Sequence, residues 1–317
     1  MNTYLKYKPA WLQLLVFGSL CFGIYLVLGS LVQLFVAWMH DISVSDLQSV
    51  DYEKPGVIPA LRSLQGLLTI VVFLIPSLIF AYLSHNRPLQ YIGLKRPMPS
   101  NFWWLGLLLL IIAFPAAAWI NKLNQDMHFP SFLKDTESAM RAAEESARKL
   151  IKAMLDMKGP ADLALMLLII ALLPAIAEEL FFRGVLQRLF IQVTKSPWMG
   201  IIITAMLFSA FHGQFLGFFT RMMLGILLGA LYWYSGSILP SIIGHLVNNA
   251  IQVIYVYRDR TYIDQEHPLP PGFVIFSFVA ILAILWYMRK ISHTHYGEIY
   301  DTDDELILPA RQDNQNE

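Results

Sequence analysis

Long apolar stretches alternate with short polar connections along the whole chain. The hydrocarbon core of a bilayer is ~30 Å thick, and an α-helix needs ~20 mostly apolar residues to cross it. Stretches of that kind fall at about 11–39, 63–84, 102–120, 161–182, 197–212, 217–235, 237–257 and 272–288. Only 213–216 separates the fifth from the sixth. The first follows Lys6 and Lys8, is too long for a signal-peptide core and precedes no small-residue cleavage site. It is expected to be a true anchor. The expected fold is all-α, a polytopic membrane helical bundle of about eight transmembrane helices. Three regions are expected: N-terminal transmembrane helices plus an amphipathic loop helix over 1–160, a helical core over 161–290, and a disordered polar tail over 291–317.

The long connection 121–160 has a different period. Met140, Ala143, Ala147, Leu150, Ile151 and Met154 recur at near-helical spacing, with Arg141, Glu144, Glu145, Arg148 and Lys152 between them. That pattern predicts an amphipathic helix, either lying at the interface or extending the fourth span. A functional variant of this reading makes it a lid. The C-terminal residues, with Asp301, Asp303, Asp304 and Glu305, read as polar tail.

Composition narrows the class. Hydrophobic residues make up 56% of the 317 and charged residues 15%, against roughly a quarter charged in a soluble domain. Lys+Arg and Asp+Glu both number 23, which argues against a nucleic-acid partner. The lipid bilayer is the expected surrounding. A single cysteine, Cys21, excludes internal disulfides and cysteine metal clusters. Lys6, Lys8, Arg87, Lys95, Arg96, Arg183, Arg188, Lys195, Arg289 and Lys290 fall on one side if both termini are cytoplasmic, which sets the expected orientation. Pro9, Phe102, Trp103 and Trp104 read as interfacial anchors.

Within the apolar spans, a few ionisable residues stand out. Glu178 and Glu179 sit in the fourth span, and a central carboxylate costs ~2.5–3.5 kcal/mol on insertion scales. Glu179 and Arg183 are four apart, so they share a helix face with the acid N-terminal. Glu178 points about 100° away and is left for another task. The fifth span ends in Phe208-Ser-Ala-Phe-His212, and the seventh contains His245-Leu-Val-Asn-Asn249. His245 and Asn249 share a face, and Asn248 is rotated off it.

A carboxylate and a histidine can hold and deprotonate a water. A second histidine and an amide can donate hydrogen bonds to a developing oxyanion. Glu178, His212, His245 and Asn249 therefore suit peptide-bond hydrolysis. Direct Glu/His activation of water requires no cofactor. The alternative is zinc or another divalent ion held by Glu178, His212 and His245, although no His-Glu-x-x-His helix is present. His40, His85, His128 and His267 fall in connections and carry no chemical signal; His293 and His295 in the tail are weak metal candidates.

The order Glu178-Glu179-x-x-x-Arg183, Phe208-x-x-x-His212, His245-x-x-x-Asn249 resembles the three motifs of the CAAX-protease and bacteriocin-processing (CPBP, or Abi) intramembrane protease family, over about residues 161–255. The resemblance implies an eight-span intramembrane endopeptidase, of a family commonly classed as metalloproteases, and makes 161–290 its catalytic core. In family terms Glu178 is the general base, His212 helps hold the water, His245 and Asn249 stabilise the oxyanion, and Glu179 and Arg183 shape the site. Eukaryotic members trim the last three residues of prenylated CAAX proteins, and bacterial relatives are linked with bacteriocin maturation or self-immunity. The expected partner is a membrane-associated peptide or lipidated protein substrate, and the expected location is a bacterial cell membrane.

Two other classes compete. A proton-coupled transporter also needs buried Glu, His and Arg, but it predicts inverted repeats, and the polar residues lie only in the second half. A non-catalytic membrane scaffold would leave the motif residues scattered. One tension concerns depth. With the spans as drawn, Glu178 falls near the end of its helix and His212 near the opposite end of the next, so straight rods would keep them apart.

Overall fold

The computed structural model describes residues 4–49, 54–97, 99–261 and 269–292. His267, His293, His295 and the acidic tail residues lie outside them. The described residues form an all-α bundle with no strand. Seven helices are long and apolar enough to cross a membrane: α1 Ala10–Met39, α2 Val57–Ser84, α3 Phe102–Gln125, α5 Pro160–Thr194, α7 Phe215–Ser235, α8 Leu239–Arg258 and α9 Pro271–Ile291. Between them lie α4, Lys134–Met154, and α6, Pro197–Ala210. The protein is an integral membrane protein.

The eighth expected span is α6, and it differs from the expectation. It has 14 residues, about 21 Å at ~1.5 Å per residue, short of the ~30 Å core. Ser196 caps its start, its side chain accepting from Met199 N–H at 3.4 Å. It ends at Phe211, and Gly213 turns the chain with φ +65°.

Hydrogen bonds between connections fix the helix directions. Arg188 donates to the Tyr91 carbonyl at 2.9 Å, Ile238 N–H to Gly93 O at 3.0 Å, and Leu5 N–H to Leu83 O at 3.3 Å. Ser292 Oγ donates to Tyr234 O at 2.8 Å. Both described ends of the chain therefore lie at one face of the bundle. Asn124 bonds to Phe215 and Phe219, which sets the far end of α3 beside the start of α7 at the opposite face. The chain thus runs through α6 from the first face towards the second, where Ser209 Oγ donates to the Phe218 carbonyl at the start of α7.

Span four is corrected most. It continues beyond 182 as one helix of 35 residues, with π-helical turns at Leu167–Leu172 and Leu180–Gln187 either side of Leu173–Glu179. Arg183 and Arg188 were expected in a connection, but both are buried in this helix. The bundle supplies partners that hydropathy cannot see: Glu179 and the Gly225 carbonyl for Arg183, and the Tyr91 carbonyl and ring for Arg188. Glu178 consequently stands near the middle of α5. This takes Glu178 away from the end of its helix, one half of the depth conflict.

Prolines in the spans are accommodated locally. Pro174 has no N–H for the carbonyl four residues back, Ile170, and Asn249 Nδ2 donates to that carbonyl at 3.3 Å. At Pro115 in α3, the Ser277 hydroxyl inserts into the ladder, accepting from Ala116 N–H (3.2 Å) and donating to Ile112 O (2.6 Å).

α4 is the expected amphipathic helix. It is separate from α5, because Leu155–Gly159 interrupts it. Arg62 holds its C-terminal end by donating to the carbonyls of Met154 (2.9 Å) and Asp156 (3.0 Å). Phe102 is a second correction. It is fully buried in the core rather than at an interface, whereas Trp104 is exposed.

Candidate active site

Three helices bring the motif residues to one region. α5 carries a polar stripe at four-residue spacing: Glu179, Arg183 and Gln187, all fully buried. Opposite it, α7 presents Gly225 and Gly229, whose missing side chains let the helices approach. A Cβ on Gly229 would stand 2.7 Å from Gln187 Oε1. Arg183 donates to the Gly225 carbonyl at 3.0 Å and Gln187 to the Gly229 carbonyl at 3.1 Å.

The Glu179–Arg183 pair forms as the spacing predicts, at 2.6 Å, with both side chains out of solvent. A buried pair of this kind needs further partners to offset its desolvation. Arg183 finds the Gly225 carbonyl and lies 4.7 Å from the Phe208 ring centroid. Glu179 finds His245, whose Nδ1 is 2.9 Å from the same carboxylate oxygen that Arg183 holds. That oxygen already accepts from Arg183, so the tautomer that pairs with it has Nδ1 donating.

This fixes the other nitrogen of the ring. His245 Nε2 faces Glu178 Oε2 at 3.8 Å, ion-pair distance but longer than a hydrogen bond. One imidazole thus stands between the two adjacent glutamates, with a different nitrogen towards each. Glu178 remains partly accessible, its side chain 13% exposed against 0% for Glu179.

His212 arrives from the end of α6. Its Nδ1 lies 2.8 Å from the Phe208 carbonyl one turn back, which leaves Nε2 as its outward atom. Both imidazoles pack edge-on against the Phe208 ring, with centroids at 5.0 Å for His212 and 5.8 Å for His245. The Phe208 ring is the shared wall between them. Asn249 spends one amide proton on Ile170 O and accepts from Asn248 Nδ2 at 3.2 Å. An amide has two protons, so one donor is left.

No three of His, Cys, Asp and Glu among the described residues are grouped so as to hold a metal ion. Catalytic zinc takes three protein ligands. Of the three residues considered for a metal, Glu178 and His245 approach each other to 3.8 Å.

Residues 160–251 match the family model of type II CAAX prenyl endopeptidase Rce1-like proteins. This segment is similar to that family. Neither a curated protein nor a solved structure matches the chain. The matched segment runs from the start of α5 into α8 and contains all seven motif residues. Sequence reading passed over Gln187, although its place four residues after Arg183 signals the same face. It also passed over Asn124, Ser209, Gln214 and Arg221, which pair around the start of α7 with residues that no local periodicity links to them.

Proposed function

We propose that the chain is an intramembrane endopeptidase that hydrolyses a peptide bond of a membrane-associated or lipidated substrate, with 161–290 as its catalytic core. The family match supports the general activity. The observation that carries the chemistry is the His245 ring held between Glu179 and Glu178.

Glu178 is the general base and His212 the second group on the attacking water. His245 and Asn249 receive the oxyanion. Nδ1 of His245 is committed to Glu179, so donation from Nε2 requires the ring to hold its second proton. Glu178, facing Nε2, is the group placed to exchange that proton. Glu179 and Arg183 hold the ring's orientation and balance each other's charge inside the bundle. An apolar or lipid-anchored substrate suits a site reached from within the membrane, and a prenylated CAAX protein is the substrate type named in the family's description.

The test is cleavage of a farnesylated CAAX peptide, carrying a fluorophore and a quencher across the bond after its cysteine, by purified protein in lipid nanodiscs. Glu178→Gln should lower kcat by about 10²–10⁴, the usual worth of a general base. A variant that cleaves at the wild-type rate removes Glu178 from the mechanism. In this reading a zinc chelator leaves the rate unchanged; inhibition restored by added zinc would return the metal alternative. Proton flux abolished by Glu178→Gln, in protein that never cleaves, would instead favour a carrier.

A further inference from the structure

His212 lies in a connection whose only regular structure is the single 3-10 turn Phe215–Gly217. Nothing in the motif Phe208-x-x-x-His212 explains why this loop holds one position. The structure shows side chains from outside the loop fastening its backbone.

Asn124, in the last turn of α3, makes two of the fastenings. It is 4% exposed. Its Nδ2 donates to the Phe215 carbonyl at 3.0 Å, and its Oδ1 accepts from Phe219 N–H at 3.0 Å. Phe219 is the second residue of the α-helical part of α7, Phe218–Ser235, and the first N–H groups of a helix have no acceptor within it. Asn124 therefore caps α7 from another helix while tying down the loop before it. A side-chain amide offers a donor and an acceptor at once, and both are used.

Two further side chains complete the arrangement. Ser209 Oγ donates to the Phe218 carbonyl at 2.7 Å. Arg221 donates to Gln214 Oε1 at 3.0 Å and also to the Gln214 carbonyl. His212 sits between the Ser209 attachment and the Gln214 attachment, with Nδ1 held at Phe208 O.

We propose that Asn124 is a positioning residue for His212, acting through the backbone of 211–219; this rests on the endopeptidase reading above. Asn124 lies outside the matched segment 160–251 and touches none of the motif side chains. It carries an orientation effect: a displacement of ~1 Å at a reacting group costs about 10²-fold in rate.

The experiment compares Asn124→Ala and Asn124→Asp with wild type and Glu178→Gln in nanodiscs, using the farnesylated CAAX peptide and backbone hydrogen exchange. Asn124→Ala should lower kcat about 30- to 100-fold with KM within about twofold. Exchange should accelerate in 211–219 and stay unchanged in 239–258. Asn124→Asp keeps the acceptor for Phe219 N–H but loses the donor to Phe215 O, so its kcat should fall between the two. It also serves if the alanine variant does not fold. Wild-type kcat in either variant, beside an inactive Glu178→Gln, would overturn the proposal. So would a loss of protection spread evenly over the bundle. If wild type does not cleave the peptide, or Glu178→Gln cleaves as well as wild type, the endopeptidase reading fails. The exchange result then still decides the clamp, and unchanged protection at 211–219 refutes it.

Discussion

His245 is the residue on which the site turns, because its two nitrogens address two neighbouring carboxylates in different states of engagement. Glu179 is consumed by Arg183 and Nδ1, whereas Glu178 is left facing Nε2 across 3.8 Å. Adjacent residues on a helix point about 100° apart, so one backbone step turns one carboxylate to Arg183 and the other to His245 Nε2. The same packing makes Arg183 costly to remove. Arg183→Ala leaves Glu179 buried without its cation, a change that typically costs about 3–5 kcal/mol. We expect a large fall in thermal midpoint, measured by unfolding in detergent. A midpoint within a degree of wild type would show that the pair adds nothing to the fold.

At the scale of elements, the site depends on how closely helices approach. α3 and α8 meet through Gly106 and Gly244: a Cβ on Gly106 would stand 2.5 Å from Pro240 O, and one on Gly244 2.7 Å from Gly106 O. Both obstacles are backbone, which cannot swing aside. Gly244 adjoins His245, so Gly244→Ala should force α8 off α3 and cost about 1–3 kcal/mol. Peptide cleavage should fall more steeply than stability, and comparing the two readouts checks it.

α4 offers a pH-dependent element away from the site. Glu137 accepts from Phe129 N–H (3.0 Å), Arg141 Nε (2.9 Å) and His128 Nδ1 (3.0 Å). These bonds, the backbone one foremost, hold its carboxyl down at about 2 against an ordinary 4.5. A depressed folded-state value stabilises the fold above the unfolded value, and that contribution is lost as protons bind. The start of α4 should therefore loosen as pH falls from about 4.5 to about 2. Hydrogen exchange over 127–141, corrected for intrinsic rates, should show the loosening, and Glu137→Gln should abolish its pH dependence.

For the whole molecule, the helix directions put Leu5 and Ser292 at one face and the Asn124–Phe215 contact at the other. Cys21 is the sole cysteine, so Cys21→Ser gives a clean background for labelling. Lys8→Cys and Ser292→Cys should react with an impermeant maleimide from the same side of a sealed vesicle, and Ser131→Cys from the other. Labelling of positions 8 and 292 from opposite sides would contradict the fold.

Apolar run length alone determined that this is a polytopic helical membrane protein, because a bilayer sets the length of any element that crosses it. Local spacing determined the Glu179–Arg183 pair and the amphipathic α4, since both depend only on the helical repeat. The tertiary structure decided the rest. It ran α5 through Arg183 and Arg188, because the Gly225 and Tyr91 carbonyls from other segments, with Glu179 of α5 itself, solvate those charges. It ended α6 against the start of α7, which sets His212 beside the Phe208 ring that His245 also touches. It recruited Asn124 from 91 residues upstream of Phe215, a partnership between distant segments that no periodicity encodes.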